Sequence, residues 1–215
     1  MTVSNLLDYV RQGYNATGDN FWSDAEIYNL MYQGCLDMAR ECNIIEGLPT
    51  VVPTIVGTQA YAYPTNVIAI KRITYDGKKL QPITFREDDA ITGLNQSTTS
   101  QGTPQYYSIW NGNIYLRPIP GAVANLQIYS ISEPAAITAS STLAIPSQFH
   151  LDLKYYCLAH MALKDSNINV SELYLQLWEK AKMDAKKWQA KKKRTDAFNT
   201  IQDEDNLIET YLGVV

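Results

Sequence analysis

Gly102-Thr-Pro-Gln-Tyr-Tyr-Ser-Ile-Trp-Asn-Gly-Asn-Ile-Tyr-Leu-Arg-Pro-Ile-Pro120 is the stretch that decides how the chain is read. Asn111-Gly112 is the strongest short hairpin signal available, because a type I′ turn needs positive φ at both central residues. A two-residue loop sets Trp110 opposite Asn113, Ile109 opposite Ile114 and Tyr107 opposite Leu116. Tyr107, Ile109, Ile114 and Leu116 then share one face, with Ser108, Asn113 and Arg117 on the other. Register and hydrophobic pattern agree, so a β-hairpin is expected here.

On either side of the hairpin the chemistry of Pro49–Pro146 stays β-like. Pro, Gly, Thr, Tyr, Val and Ile dominate, and turn signals recur. Strands are expected near 51–56, 59–62, 67–75, 78–83, 105–110, 113–117 and 125–133. Asp76-Gly77 predicts a second tight hairpin. The apolar phase slips between Ile68/Ile70 and Ile73/Tyr75, which predicts a bulge near Lys71-Arg72. Thr84 with Glu87 reads as a capping box for a short helix at 85–91. Residues 92–104, rich in Thr, Ser, Gln and Gly, read as an exposed mobile loop.

Helical patterns lie outside this region. Val3, Leu6, Leu7 and Val10 mark a short helix ending at Gly13. Ser23 and Glu26 read as a capping box for a helix with the stripe Tyr28, Met31, Cys35, Met38, Cys42 and Ile45, running to Gly47. Gly34 within it suits a close helix–helix approach. Ser147 is the expected cap of a third helix reaching about Asp165, with Leu153, Tyr156, Cys157, His160 and Met161 on one face. Asn169 or Ser171 would cap a fourth, with Tyr174, Leu177, Trp178, Ala181, Ala185 and Trp188 on its buried stripe. The short link between the last two predicts an antiparallel pair. The fold class is therefore α+β: a helical bundle of about four helices from both chain ends with an inserted antiparallel β-domain. The expected parts are 1–48 with 147–194 (helical), 49–146 (β), and a C-terminal tail, 195–215.

Composition narrows the function. The 215 residues can bury a sizeable core, and no apolar run approaches the roughly 18–20 residues that span a bilayer. Residues 1–20 lack the pattern of a signal peptide, so a cytoplasmic protein with no membrane partner is expected. A net charge of −4 argues against a protein whose main task is gripping a nucleic acid backbone. Yet Lys180, Lys182, Lys186, Lys187, Lys191, Lys192, Lys193 and Arg194 are eight of 18 basic residues, and the following 21 residues hold none. This run reads either as a solvated helix end or as a contact for an acidic partner or passing nucleic acid.

No catalytic constellation emerges: there is no Gly-x-Ser-x-Gly elbow, P-loop, His-Glu-x-x-His or Gly-x-Gly-x-x-Gly after a strand. The expectation is no enzyme, no cofactor and no metal. Cys35, Cys42 and Cys157 suit core packing better than a metal site with His150 or His160. Both histidines are read as structural. Glu87-Asp88-Asp89 could hold a cation, but acids in a first helical turn simply complement the dipole. Tyr61, Tyr63, Tyr106, Tyr107, Tyr115 and Tyr129 fit core or subunit packing, with ligand stacking the lesser reading.

The order of parts resembles the head-to-tail adaptor (connector) proteins of tailed bacteriophages. The resemblance is carried by Phe21-Trp-Ser-Asp-Ala-Glu-Ile27 opening a long helix, by the β segment Tyr63–Ile83, by the Gly102–Pro120 hairpin, and by Ile145-Pro-Ser147 leading into the helix through Asp165. It covers roughly residues 20–190. It implies a non-enzymatic virion protein forming a ring of about twelve copies. The implied partners are the portal protein, tail or nozzle proteins, other copies of itself, and DNA passing non-specifically through the lumen. Interleaved acids and apolar side chains in the tail read either as a helix extension lying on its own bundle or, the favoured reading, as docking on a neighbour (the portal or the next subunit), with Phe198, Ile201, Leu207, Ile208, Tyr211 and Leu212 the expected partner interface. Lys186, Lys187, Lys191, Lys192, Lys193 and Arg194 are the expected electrostatic contacts. The alternative is an oligomeric binding module whose β-domain tyrosines hold carbohydrate or single-stranded nucleic acid.

Overall fold

The computed structural model describes residues 1–16, 18, 21–92 and 100–200, and side chains throughout these except 89–92 and 193–200. The fold is α+β, and the chain separates into two compact units: Met1–Ile45 with the chain from Pro134 onward, and Glu46–Glu133.

In the first unit, α1 (Val3–Gly13) begins where the Thr2 hydroxyl accepts from the Asn5 amide. It buries Val3, Leu6, Leu7 and Val10. Arg11 ties it to the start of α2 (Asp24–Cys42), donating to the Trp22 carbonyl at 2.7 Å and to Asp24. Ser23 caps α2 by accepting from the Glu26 amide. The expected box is only half formed, because the Glu26 carboxylate turns instead to Lys164 at 2.7 Å. Helix α2 also stops earlier than Gly47: Asn43 takes the left-handed conformation (φ 53°) that ends it. Gly34 is confirmed as a close-approach site, since a Cβ there would lie 2.6 Å from Leu153 and 3.0 Å from the Tyr156 ring.

Ser147 does not cap the next long helix. It opens a short 3-10 turn (Ser147–Phe149), and α4 (Leu153–Lys164) follows without a side-chain cap. Asp165, Ser166 and Asn167 turn the chain, Ser166 at φ 59°, into α5 (Ile168–Thr200). The cap of α5 is Asn167, whose Oδ1 faces the Val170 amide at 3.5 Å, rather than Asn169 or Ser171. Helices α4 and α5 pack on each other and on α2, burying Cys157, Met161, Trp178, Ala181 and Ala185.

The second unit holds β1 (Thr50–Pro53), β2 (Ala60–Ala62), β3 (Val67–Tyr75), β4 (Lys78–Lys79), β5 (Gln81–Pro82), α3 (Phe85–Thr92), β6 (Gln101–Gly102), β7 (Tyr106–Trp110), β8 (Asn113–Arg117), β9 (Ile119–Pro120) and β10 (Asn125–Ser132). One sheet has the order β1-β10-β3-β4, the second β2-β8-β7-β5, and β6 pairs with β9. The Asn111-Gly112 hairpin has the register expected from sequence, Tyr107 through Trp110 facing Leu116 through Asn113. Its two turn residues have φ of 46° and 69°. The Asp76-Gly77 turn pairs Tyr75 with Lys78. The bulge falls on Lys71, because Tyr129 pairs with Arg72 and Ser130 with Ile70.

Three β expectations need correction. The segment 78–83 is not one strand: Lys78-Lys79 pairs with β3, then at buried Leu80 the chain crosses to the other sheet, where Gln81-Pro82 runs parallel to β7. The pairing is thus not wholly antiparallel, and β6 with β9 adds a second parallel pair. Of the expected loop 92–104, Gln101 and Gly102 are strand, while 93–99 lie outside the described residues.

The sheets share one core of Tyr61, Ile73, Tyr75, Leu80, Tyr107, Ile114, Leu116, Leu126 and Ile128. The crossing at Leu80 stitches one side of this sandwich. On its other side β1 and β2 are edge strands, joined by a turn in which the Tyr61 hydroxyl takes the Ile55 amide (3.0 Å) and donates toward the Thr58 carbonyl (3.0 Å).

Candidate interaction surfaces

The basic run lies on α5, and the structure divides it. Lys182 is not on the solvated surface where the sequence reading put it. Its side chain is 5% exposed, with Nζ 2.8 Å from Glu41, 2.8 Å from Glu179 and 3.2 Å from Asp37. Asp37 also accepts from Trp178 Nε1 at 2.8 Å, so one carboxylate fixes two successive turns of α5 on α2. Burial works against the Lys182 ammonium, but hydrogen bonds to Glu179, Glu41 and Asp37 outweigh it and raise its pKa above the ordinary lysine range. Lys186 extends the network, 2.8 Å from the second oxygen of Glu41. Hydrogen bonds from Lys182 and then Lys186 hold the Glu41 carboxyl below the usual range.

What remains outward on α5 is Lys180, Lys187 and Lys191, with exposed Leu173 and Met183 on the same helix. Lys187 has a 3.4 Å contact to Asp184. Lys192 lies over the Trp188 ring, 5.9 Å from its centroid. Lys193, Arg194 and Phe198 belong to the helical backbone of α5, their side chains outside the description. Ile201, Leu207, Ile208, Tyr211 and Leu212 lie outside the described residues. The helix runs through the expected boundary at 194 without a break.

The acidic cluster is divided in the same way. Glu87 completes a full capping box, its carboxylate accepting from the Thr84 amide at 2.7 Å while the Thr84 hydroxyl accepts from the Glu87 amide at 3.2 Å. Asp88 is buried, accepting from Arg117 Nε at 2.8 Å and Ser108 Oγ at 3.2 Å. The polar face of the hairpin is therefore covered by α3. Among the described residues no cluster of His, Cys, Asp and Glu could hold a metal ion.

His150 is buried with Nε2 2.8 Å from the Ile145 carbonyl, a clamp on the segment entering α4. His160 rests against the Tyr156 ring, and burial lowers its pKa. Among the six tyrosines, Tyr61 and Tyr107 are core residues. Tyr63, Tyr106, Tyr115 and Tyr129 are half-buried, and Tyr129 carries the Arg72 guanidinium 4.1 Å above its ring. Phe85 and Trp110 stack with centroids 4.8 Å apart on an exposed end of the hairpin.

Sequence reasoning missed Asp88 and the buried role of Lys182. Arg117 on the polar hairpin face was a signal for the first, since a strand arginine flanked by core positions needs an acid. For the second, Lys182 follows Trp178 by one helical turn, so it falls on the buried stripe itself.

These surfaces carry charge and apolar contact area, as expected of a protein that works by docking. The family model of the SU10 adaptor protein matches residues 1–202. The chain belongs to the SU10 adaptor protein family, and so is a structural adaptor of a bacteriophage. No curated protein matches it. Among the described residues no helix is long and apolar enough to cross a membrane.

Proposed function

We propose that this chain is the head-to-tail adaptor of a virion, closing as a ring of about twelve copies between portal and tail around a lumen that conducts DNA. The observation that carries this reading is the family match over residues 1–202. It is supported by an α5 that presents Lys180, Lys187 and Lys191 to solvent and continues as helix to Thr200, directly before the acidic and apolar segment 201–215. In this reading the helices are a bundle bearing the β-unit as an insertion. The segment from Phe198, through Ile201, Leu207, Ile208, Tyr211 and Leu212, docks on a neighbour, either the portal or the next subunit. The outward lysines meet DNA or an acidic neighbour through contacts that weaken with salt. Overall acidity keeps DNA mobile in the lumen, because a strongly basic channel would retain it by counterion release. Assembly takes place in the host cytoplasm, and the chain catalyses nothing.

Electron microscopy of the purified chain with and without portal tests the reading. The expected result is a monomer or mixed population alone and a closed ring on the portal. A stable dimer indifferent to the portal overturns it.

A further inference from the structure

The register of the sheet β1-β10-β3-β4 sets out the side chains of its outer face. Ile73, Tyr75, Leu80, Leu126 and Ile128 belong to the core, so alternation sends Arg72, Thr74, Lys79, Gln127 and Tyr129 the other way. Val51 pairs with Gln127, Gln127 with Thr74, and Thr74 with Lys79. That is one row across four strands, roughly 14 Å long at the usual strand spacing. Arg72 pairs with Tyr129 in the adjoining row.

Two cations on this face meet no anion. Arg72 and Lys79 are exposed, and neither has an ion pair or hydrogen bond among the described residues. The Arg72 guanidinium sits 4.1 Å above the Tyr129 ring, and the Tyr129 hydroxyl is itself held 3.1 Å from Gln127 Oε1. The ring fixes the cation's place and leaves its N–H donors without an oxygen. Thr74, flanked by Arg72 and Lys79, is 4% exposed, and its Oγ1 has no hydrogen-bond partner. A buried hydroxyl in that state costs stability, and a ligand that uses it is a physical reason for it to persist. The long side chains over it are exposed, so rotation of either admits an oxygen to the hydroxyl. Two carboxylates stand at the margins: Glu46, paired with Lys71 at 2.6 Å, and Asp76 in the turn.

We propose that this face is a phosphate-contacting surface, on which Arg72, Lys79 and the Thr74 hydroxyl donate to the phosphodiester backbone of DNA. The ligand rests on the DNA-conducting reading above, and the face names where that DNA is touched. An arginine fork, an ammonium and a hydroxyl are the side-chain groups that contact backbone phosphates, and they converge here within two adjoining rows. A protein partner fits less well. Val51 is the one apolar side chain of the four-residue row, which offers no buried apolar centre for an anchor. Two cations per copy also make a weak contact, as DNA that must slide requires.

The test titrates a short labelled DNA duplex with the full chain and follows anisotropy over a series of salt concentrations. Arg72→Gln with Lys79→Gln should flatten the fall of log K with log salt by about 2, since each lost phosphate contact removes roughly 0.9. Thr74→Val should lower affinity about tenfold at every salt concentration without changing the slope, because a hydroxyl releases no counterion. The same variant should melt at or above the parent's temperature, having lost a buried hydroxyl with no partner. A double variant that keeps the parent slope, or a Thr74→Val that keeps the parent affinity, overturns the inference. If the double variant keeps its slope but no longer joins the portal, the face belongs to an acidic protein instead. A parent that closes rings on the portal yet binds no duplex overturns this inference and leaves the adaptor reading intact. A chain that binds duplex through this face but forms no ring overturns the adaptor reading alone.

Discussion

Asp88 and Arg117 hold α3 on the outer face of the Asn111-Gly112 hairpin through a 2.8 Å ion pair in which the carboxylate is 4% exposed and the guanidinium 15%. Pairs this dry contribute little against an apolar replacement, but breaking one leaves a buried charge without its partner. Asp88→Ala should destabilise the β-unit by about 3 kcal/mol. Asp88→Asn should cost less, because an amide can still meet Ser108. Denaturant unfolding of the full-length variants measures both, and equal losses would show that charge is not the issue.

The Lys182 network gives the helical unit a pH dependence on the acid side. Glu41 has a folded pKa below its unfolded value, so its contribution is fully present above the unfolded pKa and fades as pH falls through the folded one. Lys182 is raised, so its contribution persists below the unfolded lysine pKa and is lost only in strong alkali. Thermal melts from pH 7 to pH 3 should therefore fall more steeply for the parent than for Lys182→Met. The variant should be less stable by roughly 2 kcal/mol at pH 7, less than for a fully buried pair because its carboxylates are partly solvated. Parallel curves would remove the network from the acid response.

Gly34→Ala sets two effects against each other. Alanine favours a helix interior by about 1 kcal/mol, but its methyl would lie 2.6 Å from Leu153 and 3.0 Å from Tyr156. Leu153 is fully buried, and Tyr156 is held between His160 and Trp178. Overpacking of this sort costs about 1–3 kcal/mol. The variant should thus be net destabilised, by about 1–2 kcal/mol in a urea titration. A more stable variant would mean that Leu153 gives way cheaply.

The three thiols should be silent in the native state. Burial pushes Cys35 up to about 12 and Cys42 up to about 11, and raises Cys157 further. The reactive thiolate is therefore scarce at pH 8. A thiol reagent should report almost nothing before denaturant is added and all three cysteines afterwards. Fast native labelling would mean that the helices open readily.

The sequence was most legible where one residue pair dictates the backbone. Asn111-Gly112 and Asp76-Gly77 could hardly be anything but tight turns, and each turn carried the register of its strands with it. The bulge at Lys71 was legible because it leaves a slip in the apolar phase. Leu80 left no such trace: a strand that changes sheets keeps its alternation, so 78–83 reads as continuous. Gln101-Gly102 has neither branched nor aromatic side chains, and its strand character comes wholly from its neighbour Ile119-Pro120. Asn43 is a weaker stop signal than Gly47, so spacing carries the helix on to Gly47, yet Gly47 is needed elsewhere. A Cβ there would fall 2.2 Å from the Ser132 hydroxyl. The outward lysines of α5 were legible from composition. The inward position of Lys182 was legible from its place one turn beyond Trp178, but its meeting with Asp37 and Glu41 was not, because no local spacing links α5 to α2.

The passage of the chain through Leu80 has a kinetic meaning as well. Neither sheet can peel away while the other stays whole, because β4 and β5 are one continuous length of backbone anchored by a side chain that is 1% exposed. The sandwich should therefore open as a single cooperative unit, with amides of β3 and β7 exchanging hydrogen at one common slow rate. For a structural adaptor the consequence is mechanical: load on either sheet is shared by both.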